Sequence, residues 1–135
     1  MPLYLADTSA WHRSHKVFDR WAELVAQGEL AISEPVTLEI LYSARSAAEA
    51  RTLREQLDAL PQLPLGSRAS GAALAVQAAL AEKGQHRGPR PMDLVIAAVA
   101  ATNDAVLLHY DRHFDAIQRV TAQPMEWLAR RGSLD

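Results

Sequence analysis

Short apolar runs alternate with segments of helical periodicity along this chain, and this alternation limits its fold more than any other feature. The clearest run covers residues 105–110, and shorter runs cover residues 3–6 and 30–32. No turn signal joins two of these runs as a hairpin. Parallel strands need a long crossover connection, which is usually a helix. The sequence therefore predicts an α/β fold with a mainly parallel sheet.

Helical periodicity places the connecting elements between these runs. A helix opened by Ser33 as N-cap, with Pro35 in its first turn, is predicted after the second strand. A short helix carrying Phe114 and Ile117 is predicted after the last strand, and Leu63 and Leu65 are predicted to lie in a minor strand. The remaining predicted helices cover residues 17–27, 47–60, 71–83 and 92–102.

Length and composition predict one globular domain over residues 1–135, because 49% of the residues are hydrophobic and 22% are charged. We expect no membrane span, since no apolar run reaches roughly 18 residues. The first seven residues lack the basic front of a signal peptide, and the chain has no cysteine, so we expect a cytoplasmic protein. A net charge of −2 gives no overall signal for nucleic-acid binding.

Four acidic residues interrupt apolar sequence at predicted junctions between strands and helices: Asp7, Glu39, Asp93 and Asp111. Asp7 and Asp111 follow strands, whereas Glu39 and Asp93 lie near the starts of helices. Ligands of parallel α/β sheets bind at the carboxyl ends of the strands, and simple winding brings all four acids to that edge. Carboxylates that lie within a few ångströms of one another repel unless a cation is bound between them. Oxygen ligands without cysteine suit Mg²⁺ or Mn²⁺.

Each acid also has a structural explanation. Asp7, Asp93 and Asp111 could each cap a helix or turn, since aspartate is preferred there. Glu39 is harder to explain in this way, because its neighbours in sequence are apolar and Arg45 lies on another face of the helix. The sequence alone leaves capping and metal binding open for each aspartate.

Several segments resemble the PIN domain, and VapC-type toxins of bacterial toxin–antitoxin pairs are the closest match. These segments are residues 5–10, the helix that carries Glu39, residues 91–97, and residues 107–115 with their Asp-x-x-Phe-Asp pattern. The resemblance implies a small Rossmann-like sheet with helices on both faces. It also implies an Mg²⁺- or Mn²⁺-dependent endoribonuclease that is inhibited by a VapB-type antitoxin and forms a homodimer.

The resemblance assigns roles to particular residues. The acidic positions of the family map onto Asp7, Glu39, Asp93 and Asp111, which would be the catalytic metal ligands. Ser9 maps onto the residue that supports the first aspartate. We expect hydrolysis of RNA by metal-activated water, with the phosphate contacts contributed by arginines in or near these motifs: Arg87, Arg90 and Arg112.

Two histidines depart from the family pattern. His109 stands where many relatives have threonine, and it could hydrogen-bond a ligand or a phosphate, although we expect a histidine at the edge of the core. His113 stands where many relatives have a further aspartate, which leaves the number of metal ions open. Asp115 is not an obvious substitute for that acid.

Other functional classes remain open from the sequence. A PIN-like module that binds RNA or protein without catalysis is the main alternative, and a purely structural or dimerising domain is another. A phosphatase with an aspartyl nucleophile also begins with aspartate after the first strand. Such enzymes typically carry a second aspartate two residues later, where this chain has Ser9.

Overall fold

The computed structural model describes residues 2–135, so Met1, which the predicted domain 1–135 includes, lies outside the described residues. Four strands form one sheet in the order β2-β1-β3-β4, and every pairing within it is parallel. The strands are β1 Tyr4–Ala6, β2 Leu30–Ala31, β3 Val106–His109 and β4 Met125–Trp127. The predicted three-layer α/β fold with a parallel sheet is confirmed.

Seven α-helices and one 3-10 turn connect and flank these strands in the described part of the chain. They are α1 Thr8–Arg13, the 3-10 turn Ser14–Val17, α2 Phe18–Ala26, α3 Glu34–Tyr42, α4 Ala47–Asp58, α5 Ser67–Glu82, α6 Pro91–Thr102 and α7 His113–Thr121. No helix in residues 2–135 combines the length and the apolar character that crossing a membrane requires.

The core lies between the sheet and the helices that pack on it. Leu5, Leu107 and Leu108 from the two central strands are fully buried, as are Phe114 and Ile117 of α7. Helix α6 is buried from Leu94 to Ala100 except at Val95, as expected for a helix that is apolar almost all round. This central position of α6 holds its N-terminal turn, and with it Asp93, against the carboxyl edge of the sheet.

The structure differs from the prediction in three local features. The edge strand β4 was not predicted, because three half-buried residues after Pro124 give too short a pattern. Helix α1 was not predicted either, since Thr8 and Ser9 indicated a turn. The minor strand predicted near Leu63 is reduced to one bridge between Ile32 and Gln62.

The predicted cap of α3 is correct in position but not in bonding. Ser33 is the N-cap and Pro35 lies in the first turn, yet the Ser33 hydroxyl makes no cap hydrogen bond. That hydroxyl is buried without a partner in the described structure. The helix therefore begins without the usual side-chain acceptor for its first N–H groups.

Candidate metal centre

Backbone pairing brings the ends of β1 and β3 side by side. Ala6 pairs with Leu108, and the Asp7 N–H continues the ladder by donating to the Leu108 carbonyl at 2.9 Å. Asp111 follows two residues after β3 ends. Because the two strands are parallel, their first acidic residues lie at the same edge of the sheet.

Asp7 and Asp93 are the two most buried of the four acids. The two carboxylate oxygens of Asp7 have different environments. Oδ2 accepts from the Ser9 N–H at 3.0 Å and from the Ser9 hydroxyl at 2.6 Å, so Asp7 caps α1. Oδ1 is buried and has no hydrogen-bond partner in the described structure. Burial, with smaller repulsion from Asp93 and Glu39, raises the pKa of Asp7 to about 6.

Ser9 connects the two strand ends as well as supporting Asp7. Its hydroxyl donates to Asp7 Oδ2 and accepts from the Tyr110 N–H at 2.9 Å. A single side chain therefore fixes the Asp7 rotamer and holds the segment that leads from β3 to Asp111.

Glu39 lies in the second turn of α3 and is half-buried. Its Oε1 accepts from the Thr8 hydroxyl at 2.7 Å, which joins α3 to the start of α1. Arg45, the basic residue nearest in sequence, instead pairs with Glu49 at 3.4 Å. Glu39 is therefore held by a neutral hydroxyl in a place where its charge still raises the pKa values of Asp7 and Asp93.

Asp93 is almost fully buried in the first turn of α6, with 1% of its surface exposed. Oδ2 accepts from the Arg90 N–H at 3.0 Å, and Oδ1 lies 3.8 Å from Arg90 Nη2. Burial raises the pKa of Asp93 above its ordinary value, Arg90 opposes this shift, and Asp111 and Glu39 add to it. Mutual repulsion among the acids shows that they share one electrostatic environment.

Asp111 lies on the more open side of the cluster and approaches His113. Its Oδ1 accepts from the His113 N–H at 2.9 Å, and the same oxygen lies 3.4 Å from His113 Nδ1. One ligand atom from each of Asp93, Asp111 and His113 lies within 4.8 Å of the others. Asp7 and Glu39 do not belong to this tight group in the described structure, although their charges act on Asp93.

Asp7 and Asp93 contribute to the caps of α1 and α6, whereas Asp111 does not cap α7, whose N-cap is Arg112. Local hydrogen bonding and metal binding are nevertheless compatible for all three aspartates, because the local bonds of each use one carboxylate oxygen. Asp7 and Asp93 cap through Oδ2, and Asp111 bonds the His113 N–H through Oδ1. The second oxygen of each remains outside these bonds. The two explanations that the sequence left open therefore describe different atoms of the same side chains.

His109 is buried against aromatic rings. Only 1% of its surface is exposed, and its ring lies 4.9 Å from that of Phe114 and 5.0 Å from that of Trp127. Its Nδ1 accepts from the Asp111 N–H at 3.2 Å. Burial lowers the pKa of His109 to about 4, so the ring is neutral at pH 7 and can accept this bond.

Two basic cavities adjoin the open side of the cluster. One of about 470 Å³ is lined by Asp111, Arg13, Arg112 and Arg131, among others. The other, of about 460 Å³, includes His113 and the same two arginines Arg112 and Arg131.

The arginines predicted to contact phosphate are divided by this arrangement. Arg112 lines both basic cavities. Arg90 lies beside Asp93 and lines a different cavity with Glu39, and Arg87 is exposed in the loop before α6. Arg131 was not singled out from the sequence, because it lies after the last motif in a segment without periodicity.

Sequence reasoning also passed over two side chains of the site. Thr8 had a usable signal, since it directly follows Asp7, but its bond to Glu39 spans 31 residues and depends on the fold. His113 was noted only as a missing acid. Its position at i+2 from Asp111 was the signal that both side chains could reach one ion.

The donor set fits a hard divalent cation. Carboxylate oxygens dominate, one of them on Asp7 is buried without a partner, and the acids repel one another. An unpaired buried carboxylate oxygen is costly, and a cation would satisfy it.

Comparison with known proteins agrees with this geometry. The sequence profile of the PIN domain matches residues 4–120. Ribonuclease VapC18 from Mycobacterium tuberculosis is 38% identical over 136 residues, which cover 98% of this chain and 99% of that protein. Ribonuclease VapC51 from the same organism is 37% identical over 134 residues, with 98% and 97% covered.

Solved structures match the fold over nearly the whole chain. The DNA-bound VapBC complex from Salmonella typhimurium aligns with a TM-score of 0.76 at 23% identity, covering 96% of this chain and all of the matched chain. VapBC2 from Rickettsia felis, bound to a promoter DNA fragment, aligns with a TM-score of 0.75 at 20% identity, covering 93% and 98%. With its profile match and its relatives that align over nearly their full length, the chain belongs to the PIN domain family, among the VapC proteins.

Proposed function

We propose that this protein is a metal-dependent endoribonuclease toxin that hydrolyses RNA phosphodiester bonds and is neutralised by a cognate antitoxin. Its relatives at 37–38% identity are named ribonucleases. The observation that carries the proposal is the buried Asp7 oxygen without a partner, which lies among carboxylates that raise one another's pKa values.

The proposed ligands of the principal ion are Asp7, Asp93 and Asp111, with Mg²⁺ or Mn²⁺ as the cofactor. Asp93 and Asp111 already have oxygens within 4.8 Å of each other. Asp7 adds the unpartnered oxygen. Glu39 completes the anionic pocket and can take part in holding a second ion.

When bound, such a cation would polarise a phosphate oxygen and lower the pKa of the attacking water. The chain's own residues position the reactants. Thr8 fixes one oxygen of Glu39, which leaves the other free to orient a water molecule. Ser9 fixes Asp7, and the His109 ring fixes the backbone of Asp111. These contacts preorganise the site before substrate binds.

RNA contacts are proposed at the basic cavities. Arg112 and Arg131 line both of them, next to Asp111 and His113, so a phosphate bound there would lie beside the cluster. Guanidinium groups match phosphate oxygens in a bidentate geometry. The roles of Arg87 and Arg90 in binding phosphate stay predictions.

A protein partner is proposed to cover the Glu39 side of the site. Leu38 and Tyr42 flank Glu39 on α3 and are 64% and 93% exposed, and they line a cavity of about 540 Å³. Exposed apolar side chains beside a charged site favour a partner with apolar side chains. We assign this surface to a VapB-type antitoxin, and we propose a homodimer as the state of the free toxin. RNA as the substrate makes the cytoplasm the proposed place of action.

The alternative of a PIN-like module without catalysis is not favoured. All four acids are present, and each accepts a hydrogen bond through one carboxylate oxygen, which leaves the other oxygen available. A module without chemistry gains nothing from keeping repelling carboxylates buried.

Incubation of the purified protein with total cellular RNA, with Mn²⁺ or with EDTA, tests the proposed activity. We expect discrete fragments with Mn²⁺ and none with EDTA. Asp93→Asn should lose this cleavage, whereas the matched control Asp58→Asn, on the exposed surface of α4, should keep it. Cleavage that continues in EDTA at the wild-type rate would contradict the proposal.

Co-purification with the protein encoded next to this gene tests the proposed partner surface. Leu38→Ala combined with Tyr42→Ala should weaken the complex at least about tenfold, as expected for exposed anchor residues. Leu74→Ala on α5 is the matched control, because Leu74 is 68% exposed and far from Glu39 in sequence. Equal binding by all variants would remove this surface from the proposal.

A further inference from the structure

The imidazole of His113 occupies a place in the cluster that the acids alone do not fill. His113 begins α7, and its Nδ1 lies 3.4 Å from Asp111 Oδ1. One of its ring nitrogens lies within 4.8 Å of ligand oxygens of both Asp93 and Asp111. Its side chain is 42% exposed, so an ion from solvent can reach it.

These separations are close to those of ligands on one ion. Ligand atoms bound at about 2.1 Å lie roughly 3 Å apart when adjacent and roughly 4.2 Å apart when opposite. The Asp111–His113 separation of 3.4 Å already falls in this range, and Asp93, within 4.8 Å of both, reaches it by a small rotamer adjustment.

Asp115 does not compete with His113 for this position. Its Oδ1 accepts from Trp127 Nε1 at 3.3 Å, and its Oδ2 lies 3.4 Å from Arg131 Nη1. These contacts hold Asp115 toward β4 and the C-terminal segment. Among the neighbours of Asp111 in this motif, His113 is the side chain that reaches the cluster.

We propose that His113 is a nitrogen ligand of the metal site and that it makes the site prefer Mn²⁺ over Mg²⁺. The inference rests on the proposed metal site and adds the identity of one ligand and of the ion. A neutral imidazole in place of a carboxylate removes one negative charge, which weakens binding of the hard Mg²⁺ ion. Transition ions accept imidazole nitrogen more readily than Mg²⁺ does.

Pulsed electron paramagnetic resonance of the Mn²⁺-loaded full chain, in a buffer free of nitrogen, tests the ligand directly. We expect a ¹⁴N coupling to the bound Mn²⁺ that changes to a ¹⁵N coupling when the protein is labelled with ¹⁵N. His113→Ala should lose the coupling. His15→Ala should keep it, because His15 is exposed in the 3-10 turn.

Competition between Mg²⁺ and Mn²⁺ tests the preference. The ratio of the Mg²⁺ and Mn²⁺ dissociation constants should fall by about tenfold in His113→Asp, a change comparable to the loss of a contact in a metal site. His113→Asp also provides a folded comparison if the alanine variant is unstable. An unchanged ratio in His113→Asp would overturn the inference.

The two proposals fail in different ways. Bound Mn²⁺ without nitrogen coupling in the wild-type protein, together with cleavage of RNA, overturns the role of His113 and leaves the proposed function intact. In that case His113 acts on Asp111 through its backbone N–H alone. Absence of both Mn²⁺ binding and cleavage overturns the proposed function, and the inference falls with it.

Discussion

The two sides of the acidic cluster have opposite physical character. On the inner side, Asp7 and Asp93 are almost fully buried, and burial raises the pKa of both. On the outer side, Asp111 and His113 are partly exposed and face the arginine-lined cavities. The inner side carries an unfavourable charge that a cation would relieve, and in the proposed site the outer side would admit the ion and the substrate. Burial of the acids therefore lowers the stability of the fold on the inner side, where the proposed ion would bind, and not on the outer side.

The largest effect is expected from removing an inner ligand. Asp93→Asn can keep the bond from the Arg90 N–H, so the fold should survive. Loss of a metal ligand removes several kcal/mol of charge stabilisation, which corresponds to a loss of cleavage of about 100-fold or more. Single-turnover cleavage in Mn²⁺ measures this loss. Near wild-type cleavage by Asp93→Asn would show that the inner side does not hold the ion.

The next largest effect is the stabilisation of the wild-type protein by the ion. A ligand whose free concentration is about 100 times its dissociation constant stabilises the folded state by about 2.7 kcal/mol. Saturating Mn²⁺ should therefore raise the melting temperature by several degrees at pH 8, and Asp7→Asn should lose most of this increase. Equal increases in both proteins would separate Asp7 from the site.

Without metal, Asp7→Asn is expected to change the stability of the fold in the opposite direction and by a smaller amount. The pKa of Asp7 is raised to about 6, so the folded state favours its neutral form. The contribution of neutral Asp7 to stability is fully present below the pKa of aspartate in the unfolded chain, and it is lost as the pH rises through 6. At pH 8 the buried Asp7 is ionised, which costs about 3 kcal/mol of stability. In EDTA, Asp7→Asn should be more stable than wild type by about 1–2 kcal/mol at pH 8.

The comparison at pH 4.5 is the control for this effect. Asp7 is then neutral in the folded protein, so the advantage of asparagine should disappear. The pKa of His109 is lowered to about 4, so its contribution to the stability of the fold decreases as the pH falls below the ordinary pKa of histidine. This decrease is the same in wild type and in Asp7→Asn. Urea unfolding at the two pH values measures the difference. Destabilisation by Asp7→Asn at both pH values would contradict the account of a strained inner side.

An effect of similar size, but in the destabilising direction, is expected from the hydroxyl that joins the two strand ends. Ser9→Ala removes the bonds to Asp7 and from Tyr110, and about 1–2 kcal/mol of stability should be lost. Cleavage should also fall, because the Asp7 rotamer is less fixed. Thr52→Ala is a matched control, since the Thr52 hydroxyl bonds only to its own helix at an exposed site. Equal losses of cleavage in both variants would deny Ser9 a special role.

The sequence predicted the fold well where the periodicity of the hydrophobic residues and the length of the connections decide the structure. Parallel pairing of β1 with β2 and β3 followed from the intervening helices, and β3 was recognisable because residues 105–108 are continuously apolar. The edge strand β4 was missed because its pairing with β3 depends on tertiary contact and not on a local pattern.

The approach of the four acids to one edge of the sheet was predictable from the sequence, but their individual contacts were not, and their role as metal ligands stays a prediction. Connection geometry places Asp7 and Asp111 at one edge, yet it does not say which oxygen remains free. The free Oδ1 of Asp7, the bond between Thr8 and Glu39, and the approach of His113 all depend on side-chain rotamers in the folded chain. Rotamers respond to packing across distant segments, which no local pattern in one sequence encodes.

Calorimetric titration of the wild-type protein and of Asp7→Asn with Mn²⁺ at pH 8 tests the central claim most directly. The account predicts that wild type binds the ion with defined stoichiometry and that Asp7→Asn binds it at least about tenfold more weakly. Equal affinity in the two proteins, or no binding by wild type at millimolar Mn²⁺, would contradict it.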